Sequence, residues 1–378
     1  MSAAATAAAP EPEVLFPATG VASVRHAVLN RPRVLNALSE GMIDALARKY
    51  GEWDATPSVG AVVLSGAGRG FCAGGDVKDL AMGDDHDASA RFFKREYRHD
   101  CSVSSLRAAH VALLDGVTMG GGCGVALHGA YRVATENTKL AMPECAIGLF
   151  PDVGASWVLP RLAHSVGWYL ALTGASINGA DALACGAATH FMRSADCERV
   201  VSAVDVPALA GMPEGVAAVG RALDSLSTPP ADVGVEGSLD LAGIERCFGA
   251  GMTVEGTLEA LAREDAPWAV VADERIRKGS PLSLRVTHAV LEAGARASSL
   301  ADCLSMEYRV VTRLCAEPDF KEGVRALLVD KDNRPTWANA SLDEVPLQSV
   351  KRFFEPMATP EEELFGDAPP PYAAAAKL

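Results

Sequence analysis

The segment MPECAIGLFPDVG (142–154) holds two acids, Glu144 and Asp152, eight positions apart among residues that otherwise belong in a core. Its two prolines and two glycines keep it from forming one continuous helix. Carboxylates usually face solvent, and burying two without partners costs several kcal/mol of desolvation. Met142, Cys145, Ile147, Leu149, Phe150 and Val153 favour a pocket nonetheless. There a carboxylate is poised as a general base or nucleophile.

Such a group needs a polarised centre to act on, and two glycine-rich stretches suit that role. GAGRGFCAGGDV (66–77) follows the apolar run AVVLS (61–65), and DGVTMGGGCGVALHG (115–129) follows VALLD (111–115). The first contains G-R-G-F-C-A, which formally fits a relaxed dinucleotide fingerprint. Helical patterning begins only after Gly75-Asp76, however, which speaks against nicotinamide binding. Close strand–helix packing accounts for a single triple glycine such as Gly120-Gly121-Gly122. Two glycine loops after separate strands fit a further role, in which each gives one backbone N–H to an oxyanion hole around a polarised carbonyl. Ser156, in GASWV, lacks the G-x-S-x-G frame of a nucleophilic serine, and none of the eight histidines has metal-ligand spacing. Catalysis therefore falls to carboxylates and backbone amides.

These groups need a scaffold. VASVRHAVL (21–29), AVVLS, VALLD and YRVAT (131–135) read as strands, mostly buried, and several run into glycine turns. From Ser39, a candidate N-cap, Met42, Ile43, Leu46, Tyr50 and Trp53 recur at helical spacing. Alternation of strands and helices implies an α/β fold with parallel connections. The chain divides into a tail (1–13), a core carrying the site (14–199), an Ala/Gly/Pro/Ser-rich linker or insertion (200–241), a helical region (242–356) and a flexible tail (357–378).

The chain has 378 residues and a net charge of −14, which argues against nucleic acid as the main partner. Nine dispersed cysteines without a C-x-x-C pair suggest free thiols and no zinc site. No apolar run approaches the length of a membrane span. The first dozen residues carry neither a signal-peptide core nor presequence arginines. The closing Ala376-Lys377-Leu378 is similar to the Ser-Lys-Leu peroxisomal address, so a peroxisomal import receptor is an expected partner, with the mitochondrion as the alternative location.

FCAGGDV, TMGGGCGVALHG, MPECAIGLFPDVG, MEYRV and DFKEGVRALLVDKDNRPTW together resemble the crotonase (enoyl-CoA hydratase/isomerase) superfamily, in order from about 14 to 356. The resemblance is strongest to its 3-hydroxyacyl-CoA hydrolase branch. It implies a crotonase fold of repeated ββα units with a helical C-terminal region. It also implies a CoA thioester whose carbonyl lies between the amides of Gly75 and Gly121, with Gly75, Asp76 and Val77 meeting the CoA adenine. Hydratases of the family carry a glutamate where this chain has Gly124, so half of that apparatus is missing. Glu144 matches the retained family glutamate, Asp152 an acid typical of the hydrolase branch, and Glu96 a further substrate-site position. Lys331 and Arg285 are candidates for CoA phosphates, with a surface role as the alternative for each.

The activity implied is hydrolysis of a 3-hydroxyacyl-CoA, foremost 3-hydroxyisobutyryl-CoA of valine catabolism. CoA enters as part of the substrate and no separate cofactor is expected. Glu144 attacks the carbonyl or activates water. Asp152 orients the 3-hydroxyl and the attacking group, or helps protonate the leaving thiolate. The alternatives are a hydratase or isomerase, hydrolysis of a related thioester such as 3-hydroxypropionyl-CoA, and a non-catalytic, hydrolase-like subunit of a mitochondrial ribosome. Crotonases often form trimers while this branch varies, which leaves the oligomeric state open.

Overall fold

A computed structural model describes residues 11–366 except 84 and 86. The N-terminal residues 1–10 and the C-terminal Ala376-Lys377-Leu378 lie outside the described residues. Among the described residues ten strands form two sheets: β1 (Val14–Leu15), β2 (Val24–Leu29), β3 (Ala61–Gly66), β4 (Gly70–Cys72), β5 (Ala109–Leu114), β6 (Val117–Met119), β7 (Tyr131–Ala134), β8 (Lys139–Ala141), β9 (Ser176–Asn178) and β10 (His190–Phe191). The larger sheet has the order β1-β2-β3-β5-β7-β10 and the smaller β4-β6-β8-β9. All neighbours are parallel except β1 against β2 and β9 against β8. Each pair β3/β4, β5/β6 and β7/β8 sends one strand to each sheet, and helical segments follow, which is a repeated ββα arrangement.

Burial on both faces explains the apolar runs of the central strands. Along β3, Val62 and Leu64 enter the main core, whereas Ala61 and Val63 enter a second, smaller one. In β5, Ala112 and Leu114 face the first and Val111 and Leu113 the second. The second core is closed by Val219 and Leu223 of the helix Pro213–Leu226, which lies inside the stretch expected to be a linker or insertion. The sequence did not show this helix because alanine and glycine hide its period. Gly220 of that helix packs beneath the Tyr131 ring, where a larger residue would clash.

The helix Glu40–Asp54 begins at Ser39, whose hydroxyl accepts from the Met42 N–H at 3.1 Å. From Leu241 onward helices dominate, and their apolar faces join the main core of the strand region. The segment expected to be a flexible tail from 357 is partly docked. Leu364 is fully buried and its carbonyl accepts from Arg98 Nε at 2.7 Å. Lys94 Nζ donates to the Glu361 carbonyl at 2.9 Å, and Arg309 pairs with Glu363 at 2.9 Å. One leucine and a few acids among polar residues give little sequence signal for such docking. All nine cysteines are free, and among the described residues no helix is long and apolar enough to cross a membrane.

Candidate active site

Both glycine loops lie where the smaller sheet meets its helices. After β4 the chain pairs Gly75 with Leu38 in an isolated bridge: Leu38 N–H donates to Gly74 O at 2.8 Å and Asp76 N–H to Leu38 O at 2.9 Å. After β6 the helix Gly121–Leu127 opens at the triple glycine. Among the described residues the N–H groups of Gly75 and Gly121 donate to no protein acceptor. They are near neighbours, since a Cβ on Gly121 would lie 3.2 Å from Gly75 N. It would also overlap Glu96 Oε1, so only glycine fits between these groups.

A cavity of about 240 Å³ joins Gly75, Gly121, Glu96, Glu144, Asp152 and Val77. Phe93, Ile147, Leu149, Leu327 and Leu328 supply much of its apolar wall. Glu144 starts the single 3₁₀ turn Glu144–Ile147, which Gly148 ends. Its carboxylate points at the triple glycine: a Cβ on Gly120 would lie 2.8 Å from Oε1, and Oε2 is buried without a partner. Glu96 and Tyr97 come from the helix Ala88–Ser104. Tyr97 Oη donates to Asp152 Oδ2 at 2.6 Å.

Asp152 sits at the head of a turn closed by Ala155 N–H donating to Asp152 O at 2.9 Å. Val153 and Gly154 have φ of +54° and +81°, the sign pattern of a type I′ turn. A β-branched residue there is strained by about 1–2 kcal/mol. His128 Nε2–H donates to Val153 O at 2.7 Å. Glu307, on the helix Leu300–Leu314, accepts from Gly154 N–H at 2.6 Å and Ser156 N–H at 2.9 Å.

Glu144 and Asp152 keep only 6% and 5% exposure, and Glu96, Asp100 and Glu307 are also buried. Burial, reinforced by the Asp152 charge, holds the Glu96 and Glu144 carboxyls well above the usual range. Asp152 is pushed up to about 6 by burial, and the Tyr97 hydroxyl opposes the shift. Burial raises Glu307 to about 8 against the pull of its hydrogen bonds to Ser156 and Gly154. Asp100 is raised by burial and then by Glu96, and both its oxygens lack partners. Among the described residues no Lys or Arg lines the cavity, so burial and mutual repulsion rather than counter-ions set the electrostatics of these acids.

Gly124 has no space for a side chain: a Cβ there would come within 2.7 Å of both Asp100 Oδ2 and Val153 Cβ. The structure thus gathers Gly75, Val77, Glu96, Gly121, Glu144 and Asp152 around one cavity and leaves Asp76 off its wall. The Asp76 carboxylate pairs instead with Arg31 at 3.0 Å. Arg285 does not reach the cavity either; it is ion-paired with Glu255 and donates to Leu342 O at 3.1 Å. Lys331 is exposed just beyond the π-helical turn Arg325–Val329 that carries Leu327 and Leu328. Tyr97, Asp100, His128 and Glu307 escaped sequence reasoning. Asp100 lies four positions after Glu96 on one helix, a spacing that puts both on one face. Glu307 lies within MEYRV, but nothing in the chain signals its reach to Gly154.

The enoyl-CoA hydratase/isomerase family model matches residues 24–354. A relative from Arabidopsis thaliana, 3-hydroxyisobutyryl-CoA hydrolase 1, is 40% identical over 351 residues, 88% of this chain and 89% of its own. The Gallus gallus protein named 3-hydroxyisobutyryl-CoA hydrolase, mitochondrial, is 41% identical over 345 residues, 89% of this chain and 87% of its own. The crystal structure of a carnitinyl-CoA dehydratase from Mycobacterium thermoresistibile superposes with a TM-score of 0.81 at 36% identity, covering 94% of this chain and 99% of that one. With the family model spanning both glycine loops, both acids and the helical region, the chain belongs to the enoyl-CoA hydratase/isomerase family.

Proposed function

We propose that this chain is an acyl-CoA thioester hydrolase that cleaves 3-hydroxyisobutyryl-CoA to 3-hydroxyisobutyrate and free CoA. The observation that carries the proposal is the meeting, in one cavity, of the Gly75 and Gly121 amides with Glu144 and Asp152. The names of the Arabidopsis and Gallus relatives support the substrate. CoA arrives as part of the substrate, and hydrolysis consumes only water.

The thioester carbonyl oxygen lies between the two amides, where each donor is worth ~3 kcal/mol to the tetrahedral intermediate. Glu144 delivers the attack. Attack by its carboxylate gives a mixed anhydride that water then opens, whereas attack by water it has deprotonated gives the acid directly. Oxygen-18 water in a single turnover separates the routes, because the direct one leaves no label in the enzyme. The C–S bond breaks as the intermediate collapses, and the thiolate takes a proton. Asp152, with its carboxyl near 6, is suited to carry that proton or to hold the 3-hydroxyl. Glu96 lines the same cavity, within reach of the bound acyl group.

The test is release of free CoA from a panel of 3-hydroxyacyl-CoAs, including the 3-hydroxypropionyl thioester. Glu144→Gln and Asp152→Asn should each lower kcat by at least ~10²-fold. Intact turnover in both would remove the proposal. The same panel includes crotonyl-CoA, to which no water should add, since Asp100 and Val153 leave no room for a second glutamate at 124. The C-terminal tripeptide is kept as a peroxisomal address, set against the mitochondrial name of the Gallus relative. A fluorescent fusion with and without Ala376-Lys377-Leu378 decides between the two compartments.

A further inference from the structure

Asp152 is carried on a turn whose residues do not favour its shape. Turns with two left-handed residues prefer asparagine, aspartate or glycine at both central positions. Here the first central residue is Val153, at φ +54°, with a β-branched side chain that is almost fully buried. Left alone, this segment would relax toward negative φ and swing the Asp152 side chain relative to Glu144.

Two side chains from distant parts of the chain grip the turn at its strained residue. His128, at the end of the helix opened by the triple glycine, donates to the Val153 carbonyl. Glu307 accepts from the next two free amides, those of Gly154 and Ser156, one on each carboxyl oxygen. Among the described residues Glu307 has no basic partner, and it is wholly buried. An apolar residue would fill the same space without the desolvation cost, so the carboxyl is spent on those two amides. Gly154 is equally constrained, because a Cβ there would run into the His128 ring. The titratable groups that face Glu307 are Asp152, Tyr97, Asp100 and, one turn back on its own helix, Cys303. Tyr97 fixes the Asp152 carboxylate, whereas Glu307 and His128 fix the backbone that carries it.

We infer that Glu307, seconded by His128, is a positioning residue that holds the Asp152–Ala155 turn in its left-handed form and so aims Asp152 at the thioester. The inference rests on the proposed role of Asp152 in hydrolysis. It also explains why a helix of the C-terminal region reaches the reaction centre without lining the cavity itself.

The experiment measures kcat and KM for 3-hydroxyisobutyryl-CoA hydrolysis by the full chain, with circular dichroism as the check on folding. The variants are Asp152→Asn, Glu307→Gln, His128→Phe, Val153→Gly and the double variant Glu307→Gln/Val153→Gly. Glu307→Gln keeps the shape but turns one acceptor into a donor facing an N–H. Its kcat should fall at least ~10-fold while KM stays within ~3-fold. His128→Phe should show the same split, more weakly, and stands in if Glu307→Gln does not fold. Glycine adopts the turn without the clamp, so the double variant should regain at least ~3-fold in kcat over Glu307→Gln. A purely structural role for Glu307 would give no such rescue. Wild-type kcat in both clamp variants, or losses that simply add in the double variant, would overturn the inference. Full activity in Asp152→Asn would instead remove the underlying site assignment, which separates the two failures.

Discussion

At the scale of single residues, the reaction centre depends on positions that exclude side chains as much as on those that supply them. Gly121 is the sharpest case, because a methyl group there would overlap Glu96 and crowd the Gly75 amide. Gly121→Ala should therefore lower kcat by ~10²–10³-fold, the effect of losing an oxyanion donor, while the protein stays folded. Thioester hydrolysis and thermal melting on the same sample check it, and unchanged kcat would mean the carbonyl binds elsewhere. Glu144, Asp152 and both glycine loops were legible in the sequence because their types are out of place in their surroundings. Glu307 was not, because it meets its partners only through folding, some 150 residues from them in sequence. Asp76 lies inside the same recognisable motif, and its carboxylate pairs with Arg31 instead of facing the acid-lined cavity.

At the scale of elements, the helix Ala88–Ser104 organises the site. It presents Glu96 and Tyr97 to the cavity and Asp100 to Gly124, and it is held from behind by residues 359–366. Leu364 anchors that contact, so Leu364→Ala should cost about 2–5 kcal/mol in urea unfolding. A loss below ~0.5 kcal/mol would mean that the docked segment adds nothing to the helix. Strands and the Ser39-capped helix were readable because alternation, apolar runs and capping are local signals. The helix Pro213–Leu226 was hidden, since its buried face is made of Val219, Gly220 and Leu223 in an alanine-rich background. The docked tail was hidden because one leucine carries it.

At the scale of the whole molecule, a sheet buried on both faces also encloses histidines. His99, His110 and His128 are buried, with pKa values lowered by desolvation to about 4, 3 and 4. An unfolded chain takes up protons below pH 6.5, whereas the folded one resists until those lower values. Stability from these groups is therefore present above 6.5 and lost as pH falls toward 4. His99 has no hydrogen bond on either nitrogen and packs against the Tyr50 ring at 5.2 Å. His99→Phe should stabilise the protein by about 2 kcal/mol more at pH 5 than at pH 7.5, read from urea midpoints at both. Equal effects at the two values would mean that His99 titrates alike in the folded and unfolded chain. The α/β class, the ββα repeat and the family were legible over nearly the whole chain because they rest on many independent short signals. The partition of the sheet between two cores was not, since it depends on which helix covers which face.

The clamp on the Asp152 turn also orders events in time. Both amides and both acids have been synthesised by residue 152, but Glu307 arrives some 150 residues later, and the segment that grips the Glu96 helix later still. A growing chain thus carries the acids and glycines that meet at the cavity well before the side chain that holds the Asp152 turn, so the geometry of that turn is a property of the finished fold and not of the segment that contains it.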